Sequence, residues 1–244
     1  MAIRARQLLK AGLQAAGANL ERFTLFDRAV AMIAGHWQHP FFVQIGANNG
    51  IDFDNLYSKV EQYILPGIVV EPVPYYYASL VEAYKRHRGV TPVKAALHPT
   101  QRDATIYWAD PTRIRHGWEV GLASFSRGHL IKFGVDEDAI LAETVPCLTF
   151  DQLIERYAEG RKISILATDT EGFDAEILRM VDLDRYRPEI VKFEAKHLSA
   201  ADLEDCLHRL KSSGYFCERW RDDIVAVQRP LQSRLAYFMA MGNT

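Results

Sequence analysis

Short apolar runs alternate with longer amphipathic segments through most of the chain. Runs rich in valine, isoleucine and leucine predict strands at Phe41–Ile45 and at 67–71, 90–97, 162–169 and 189–195. Between these runs, apolar residues recur every three to four positions, which predicts helices at 77–88, 150–159 and 173–182. This alternation is typical of a mostly parallel sheet covered by helices on both faces, so we predict an α/β fold.

The pattern changes toward the C-terminus. An amphipathic segment with Ser199 as its N-cap and Gly214 as its stop predicts one more helix. The segments FCERW (216–220) and IVAVQ (224–228) then flank a polar turn, Arg221-Asp222-Asp223, and predict a β-hairpin. The sheet is therefore expected to end in an antiparallel hairpin.

The flanking segments suggest the domain limits. We predict a helical extension over residues 1–35, a main domain over 36–230 and a C-terminal tail over 231–244. The extension has apolar residues at helical spacing, namely Leu9, Leu13, Ala16, Leu20, Phe26, Val30 and Ile33. The segment 107–143 interrupts the strand and helix rhythm with glycine, arginine, histidine and tryptophan, and we expect it to be an insertion on the substrate side.

Composition narrows the class of protein. A chain of 244 residues with 48% hydrophobic and 25% charged residues can form one globular domain, and its net charge of -2 argues against nucleic acid as a partner. The three cysteines have no metal-binding or disulfide spacing, so we expect free thiols in a reducing compartment. With neither a signal-peptide pattern nor a membrane-spanning apolar run, we predict a cytoplasmic protein. The sequence leaves homo-oligomer formation open.

The first strand runs into a glycine turn, GANNG, which suggests a nucleotide-like ligand. No lysine follows Gly50 as a phosphate-binding loop requires, and Asn48 occupies the place of the middle glycine of a dinucleotide fingerprint. Asp52 and Asp54 at the next helix would also repel phosphate. S-adenosylmethionine, which has no phosphate and carries positive charge, fits better. Glu71, at the end of the next strand, can accept hydrogen bonds from both ribose hydroxyls.

Five motifs together resemble the FkbM family of S-adenosylmethionine-dependent methyltransferases. They occur in the family's order and are VQIGANNG, IVVEP, VKAAL, VPCLTFDQLI and ATDTEGFDAEIL. The resemblance covers roughly residues 41–228. It implies a Rossmann-like seven-stranded sheet of the class I methyltransferases, mostly parallel with a C-terminal antiparallel hairpin. Its cofactor would be S-adenosyl-L-methionine, bound by Gly46, Asn48, Asn49, Gly50, Glu71, Pro72, Ala96 and Asp169.

Acids and bases follow the later strands, where open α/β sheets bind their ligands. Because an alcohol needs a base to lose its proton, we consider His197 first and Asp169 second as the catalytic base, with Glu194 beside them. An equal alternative for His197 is a loop histidine that caps the following helix or hydrogen-bonds a carboxylate. These groups and Glu171 could hold a divalent cation, but their spacing does not demand one, and we predict no metal.

The insertion supplies aromatic faces and hydrogen-bond donors that suit a sugar, carboxylate or phosphate. The alternative is a solvated surface loop with one buried tryptophan. The substrate-binding candidates are Trp108, Arg113, Arg115, His116, Trp118, His129 and Lys132, together with Glu171.

The sequence favours an enzyme that O-methylates a hydroxyl of a sugar, glycan or secondary metabolite. One alternative is an N-methyltransferase acting on a peptide or amine. Another is a non-catalytic partner subunit that binds the cofactor, although retained acids in a crevice argue against it. A dehydrogenase is opposed by the missing middle glycine.

Overall fold

Strands and helices alternate in the computed structural model, which describes residues 23–51, 55–116 and 119–242. The strands are β1 Phe42–Ile45, β2 Gly67–Val70, β3 Val90–Val93, β4 Ala96–Leu97, β5 Asp103–Ala109, β6 Ala123–Ser124, β7 Ile140–Leu148, β8 Ile165–Thr168, β9 Ile190–Glu194, β10 Tyr215–Trp220 and β11 Asp223–Gln228. The α-helices are α1 Leu25–His36, α2 Asn55–Tyr63, α3 Pro74–Tyr84, α4 Arg127–Lys132, α5 Phe150–Tyr157, α6 Asp174–Met180, α7 Ala200–Ser212 and α8 Arg229–Gly242.

Seven strands form one sheet in the order β10-β11-β9-β8-β1-β2-β3. The five strands β3, β2, β1, β8 and β9, which are neighbours in this order, pair in parallel. Strand β11 pairs antiparallel with both β9 and β10. Strands β1, β2 and β8 are buried along their whole length, as expected for parallel strands with helices on both faces. The predicted Rossmann-like sheet and its C-terminal hairpin are confirmed.

A second sheet of four strands, in the order β4-β7-β5-β6, corrects two details of the sequence prediction. The strand predicted at 90–97 is two strands, and its second part, β4, pairs with β7. The segment 107–143 is not wholly irregular, because both of its ends belong to the long antiparallel pair β5 and β7. The tryptophan, arginine and glycine residues between these two strands obscured the strand pattern in the sequence.

The two terminal helices of the described chain pack on the same face of the main sheet. Val30 and Ile33 of α1 join a hydrophobic cluster with Leu231 and Leu235 of α8. The predicted tail therefore begins inside a helix that contributes to the core. Residues 1–22 of the predicted extension lie outside the described residues.

Local sequence signals set several helix ends. Thr24 and Asp27 form a capping box at α1, and the predicted cap Ser199 accepts a hydrogen bond from the Asp202 amide at α7.

Cys147 and Cys206 are buried, and all three cysteines are free thiols. Within the described ranges, no helix has both the length and the hydropathy needed to cross a membrane.

Candidate active site

A cavity of about 800 Å³ opens at the carboxyl ends of the central strands. Its walls come from the loops after β1, β2, β8 and β9, from the second sheet and from the β10–β11 turn. This is the edge where open parallel sheets bind ligands, because the strand order reverses between β1 and β8. The cavity is therefore the candidate active site.

The turn after β1 depends on two glycines. Gly46 has φ +77°, and a Cβ there would lie 1.8 Å from the main-chain oxygen of Asp169. Gly50 has φ +80°, and a Cβ there would lie 2.7 Å from the side chain of Leu80. Both positions need glycine for conformation and for space. Gly46 thus brings the turn after β1 into main-chain contact with the turn after β8.

Glu71 lies at the end of β2 and fixes the adjacent turn. Its two carboxylate oxygens accept hydrogen bonds from the main-chain N–H groups of Asn48 and Val73, each at 2.8 Å. Burial raises the pKa of Glu71 to about 7, opposed by these two hydrogen bonds. Each oxygen retains a second lone pair, so the carboxylate can still accept hydrogen bonds from a ligand.

Most of the predicted cofactor-binding residues share this cavity. Its lining includes Gly46, Asn48, Glu71, Pro72, Ala96 and Asp169. The structure does not bring Asn49 or Gly50 into the lining. Asn49 stays in the turn, where its amide N–H donates to Asn48 Oδ1. Gly50 packs toward α3, so its role is to shape the turn rather than to line the cavity.

A buried carboxylate organises the turn after β8. Asp174 is fully buried and accepts hydrogen bonds from Thr168 Oγ1 at 2.5 Å, Thr170 Oγ1 at 2.8 Å and the Thr170 amide at 3.1 Å. These bonds hold the segment that carries Asp169 into the cavity. The side chain of Asp169 is exposed at the cavity. Desolvation by the surrounding protein and the nearby charge of Asp174 raise the pKa of its carboxyl to about 8.

Glu171, Glu194 and His197 meet on one wall of the cavity. His197 Nε2 lies 3.2 Å from Glu171 Oε2 and 3.8 Å from Glu194 Oε1. Burial raises the pKa of Glu171 to about 7, while burial and Asp169 raise that of Glu194 to about 9. Burial and the charge of Lys196 lower the pKa of His197. One ligand atom from each of the three residues lies within 4.8 Å of the others, close enough to hold a metal ion.

The loop before β6 packs against the turn after β1 at the cavity. Gly121 has φ +87°, and a Cβ there would lie 2.0 Å from Asn48 Nδ2. Its N–H donates to the hydroxyl of Tyr76 at 2.9 Å. Nearby, the rings of Phe125 and Phe173 meet edge to face with centroids 5.0 Å apart, and both residues line the cavity. These two rings give the cavity an apolar surface.

Most of the predicted substrate-binding residues lie outside the cavity lining. Trp108 is buried in the core of the second sheet, while Arg113 and Arg115 form surface ion pairs with Asp138 and Asp136, both at 2.6 Å. His116 and Lys132 are also outside the lining, and Trp118 lies outside the described residues. Of this set, the structure brings only His129 and Glu171 into the lining. Local ion pairs hold Arg113 and Arg115, and core packing holds Trp108, which the sequence alone could not reveal.

The sequence missed the contribution of the β10–β11 hairpin. Trp220, Arg221, Asp222 and Asp223 all line the cavity, and Trp220 is 43% exposed. The ion pair of Asp223 with Lys192, at 2.9 Å, anchors the hairpin to β9. The polar turn was visible in the sequence, but the antiparallel placement of β11 against β9 is what brings it to this edge.

The family comparison gives a direct match. The family model described as the methyltransferase FkbM domain matches residues 44–217. No curated protein matches the chain.

Several solved structures are similar to this one at low sequence identity. Methyltransferase FkbM from Methylobacillus flagellatus KT is 14% identical with a TM-score of 0.47, and the match covers 78% of this chain and 43% of that chain. The chain thus spans less than half the length of that relative. Precorrin-6y C5,15-methyltransferase from Geobacter metallireducens GS-15 is 12% identical with a TM-score of 0.42, covering 86% and 93% of the two chains. Fibrillarin, a pre-rRNA processing protein of Methanococcus jannaschii, is 9% identical with a TM-score of 0.43, covering 84% and 74%.

The family match includes the glycine turn after β1, Glu71, the buried Asp174 and the residues around His197. It spans most of the chain, from within β1 to within β10 of the seven-stranded sheet. The chain therefore belongs to the FkbM methyltransferase family.

Proposed function

We propose that the protein uses S-adenosylmethionine to methylate a hydroxyl group of a sugar, glycan or secondary metabolite. The observation that carries this proposal is Glu71. Its buried carboxylate accepts a hydrogen bond from the Asn48 amide and lies beside the Gly46 turn at the cavity wall. This arrangement can hold the two ribose hydroxyls of the cofactor while the turn contacts its methionine portion.

The charges of the cavity suit a cationic cofactor. Asp169 follows β8 and contacts the Gly46 turn through its main chain, so it lies between the cofactor turn and the acidic wall. Carboxylates there favour the sulfonium and ammonium charges of S-adenosylmethionine. Ala96 and the rings of Phe125 and Phe173 also line the cavity and offer an apolar surface for the adenine.

Asp169 is the better placed of the two candidate bases. His197 has a side chain only 7% exposed, and its Nε2 faces the carboxylates of Glu171 and Glu194 rather than open space. Asp169 is exposed to the cavity at the boundary between the cofactor turn and the remaining volume. Methyl transfer is an in-line displacement, so a carboxylate at this boundary can orient the acceptor hydroxyl and accept its proton.

An amine or amide of a peptide is the second candidate acceptor. The concentration of carboxylates at Asp169, Glu171, Glu194 and Asp222 would attract an ammonium group, which favours this alternative. Incubating the protein with isotopically labelled S-adenosylmethionine and a panel of glycosides, alcohols and peptide amines separates the two by product mass. A non-catalytic subunit would bind the cofactor and label none of them.

Replacing Asp169 with asparagine tests the proposed base. With an acceptor from that panel, D169N is expected to lower kcat by about 100-fold or more while keeping the affinity for S-adenosylhomocysteine within a few fold. The variant keeps the size of the side chain and removes its ability to take a proton. Turnover close to that of the wild type would show that another group accepts the proton.

A further inference from the structure

We propose that Glu171, Glu194 and His197 bind a divalent cation of the Mn²⁺ class on the wall of the cavity. The ligand atoms lie close together, with His197 Nε2 at 3.2 Å from Glu171 Oε2 and 3.8 Å from Glu194 Oε1. Ligands at about 2.1 Å from one metal ion and at right angles are about 3 Å apart. Small side-chain movements would therefore complete the coordination, contrary to the sequence prediction of no metal.

The backbone places these three ligands from two neighbouring strand ends. Glu171 has φ +53° in the turn after β8 and is followed by Gly172 with φ +101°. A Cβ at Gly172 would lie 3.3 Å from the Cβ of His197, so the glycine lets the two segments approach. Glu194 ends β9, and His197 follows three residues later. The arrangement is built into the sheet rather than formed by long surface side chains.

A buried oxygen without a partner points independently to a ligand. Within the described residues, Glu194 Oε2 is inaccessible to solvent and has no hydrogen-bond partner, and the Glu194 side chain is only 11% exposed. Leaving a carboxylate oxygen in this state is unfavourable unless a cation or donor meets it. A metal ion bound by both carboxylate oxygens of Glu194 would supply that partner.

Two lysines line the cavity near this wall. Lys192 forms an ion pair with Asp223 at 2.9 Å. Lys196 acts on Glu171 and Glu194 through its charge, but the residue is exposed to solvent. Asp169 adds a further acid beside Glu194. A divalent cation would balance several negative charges that the protein has gathered in one place.

The chemistry of the ligands selects the type of cation. Two carboxylates and one imidazole suit Mn²⁺ and similar first-row ions better than Ca²⁺, which prefers oxygen ligands only. Three protein ligands also leave coordination positions open toward the cavity. A hydroxyl oxygen of the acceptor bound there would lose its proton more easily to Asp169. This role of the cation rests on the proposed function, whereas the site itself rests on the geometry.

Manganese titration of the full chain tests the site. After treatment with EDTA and its removal, the wild type is expected to bind one Mn²⁺, measured by calorimetry and by the electron paramagnetic resonance signal of free Mn²⁺. H197A and E194Q are expected to weaken this binding by about 100-fold or more. The control is D184N, which removes an exposed carboxylate in the loop after α6 and is expected to bind Mn²⁺ like the wild type.

Two results would overturn the proposal: no Mn²⁺ binding by the folded wild type, or equal binding by all four proteins. Thermal unfolding of each variant shows whether it is folded, and E194Q preserves side-chain size if H197A is not. Titration of S-adenosylhomocysteine in the presence of EDTA separates the test of the metal site from the test of the methyltransferase function. Cofactor binding without Mn²⁺ binding would leave the methyltransferase proposal standing and assign the three residues to the cofactor or to shared protons.

Discussion

Alanine in place of Gly46 is expected to abolish detectable binding of S-adenosylhomocysteine and to destabilise the protein. The new Cβ would lie 1.8 Å from the main-chain oxygen of Asp169, and neither segment can yield without moving a strand end. The residue also has φ +77°, where alanine costs about 1 kcal/mol more than glycine. The turn after β1 would separate from the turn after β8, and the cofactor would lose both surfaces.

Gly160 offers a matched control for this substitution. It has φ +75°, yet nothing lies within 4 Å of a Cβ built there. G160A therefore introduces the same backbone strain without the collision and is expected to bind S-adenosylhomocysteine like the wild type. Equal affinities of G46A and G160A in a calorimetric titration would show that the contact between the two turns is not needed for binding.

The second large effect is expected from replacing Asp174 with alanine. The substitution leaves the amide and hydroxyl of Thr170 and the hydroxyl of Thr168 without their buried acceptor. We expect the free energy of unfolding to fall by about 3 kcal/mol, because each unsatisfied buried group costs about 1–3 kcal/mol and the hydroxyls can partly reorient. The affinity for S-adenosylhomocysteine should fall as well, since Asp174 holds the turn after β8, whose main chain contacts Gly46 in the cofactor turn.

Urea unfolding measures this change, with D184A as its control. Asp184 is exposed in the loop after α6, so its substitution is expected to change the unfolding free energy by about 0.5 kcal/mol or less. A D174A variant as stable as D184A would contradict the role of Asp174 as the anchor of the turn after β8.

The sequence predicted the sheet well because its strands carry local signals. The fully buried runs at β1, β2 and β8 consist largely of aliphatic residues, and the hairpin is marked by a polar turn before the apolar run of β11. Residues that follow such strands converge on one edge, so Glu71, Asp169 and the residues near His197 could be assigned to one cavity from topology alone.

The side chains that the segment 107–143 contributes to the cavity were much harder to predict. Arg113 and Trp108 have the side chains of a sugar-binding loop, but one is held by Asp138 and the other packs inside the second sheet. Only the pairing of β5 with β7 determines which side chains face inward. The role of Gly121 and of the hairpin residue Trp220 depends likewise on contacts between segments far apart in the chain.

The central claim is that the cavity binds S-adenosylmethionine through Glu71. The pKa of Glu71 is raised to about 7 in the free protein, and ribose hydroxyls donate to its ionised form. Affinity for the cofactor product should therefore rise as the pH increases through this range, since the fraction of ionised Glu71 increases. A variant without the carboxylate should lose both the affinity and this pH dependence.

Calorimetric titration of S-adenosylhomocysteine at pH 6 and pH 8 tests the claim most directly, using the wild type and E71A with NADH as the control ligand. We predict micromolar binding by the wild type that is tighter at pH 8, about 100-fold weaker binding by E71A, and no binding of NADH. A folded wild type that does not bind S-adenosylhomocysteine, or an E71A variant that binds it as tightly as the wild type at both pH values, would contradict the account.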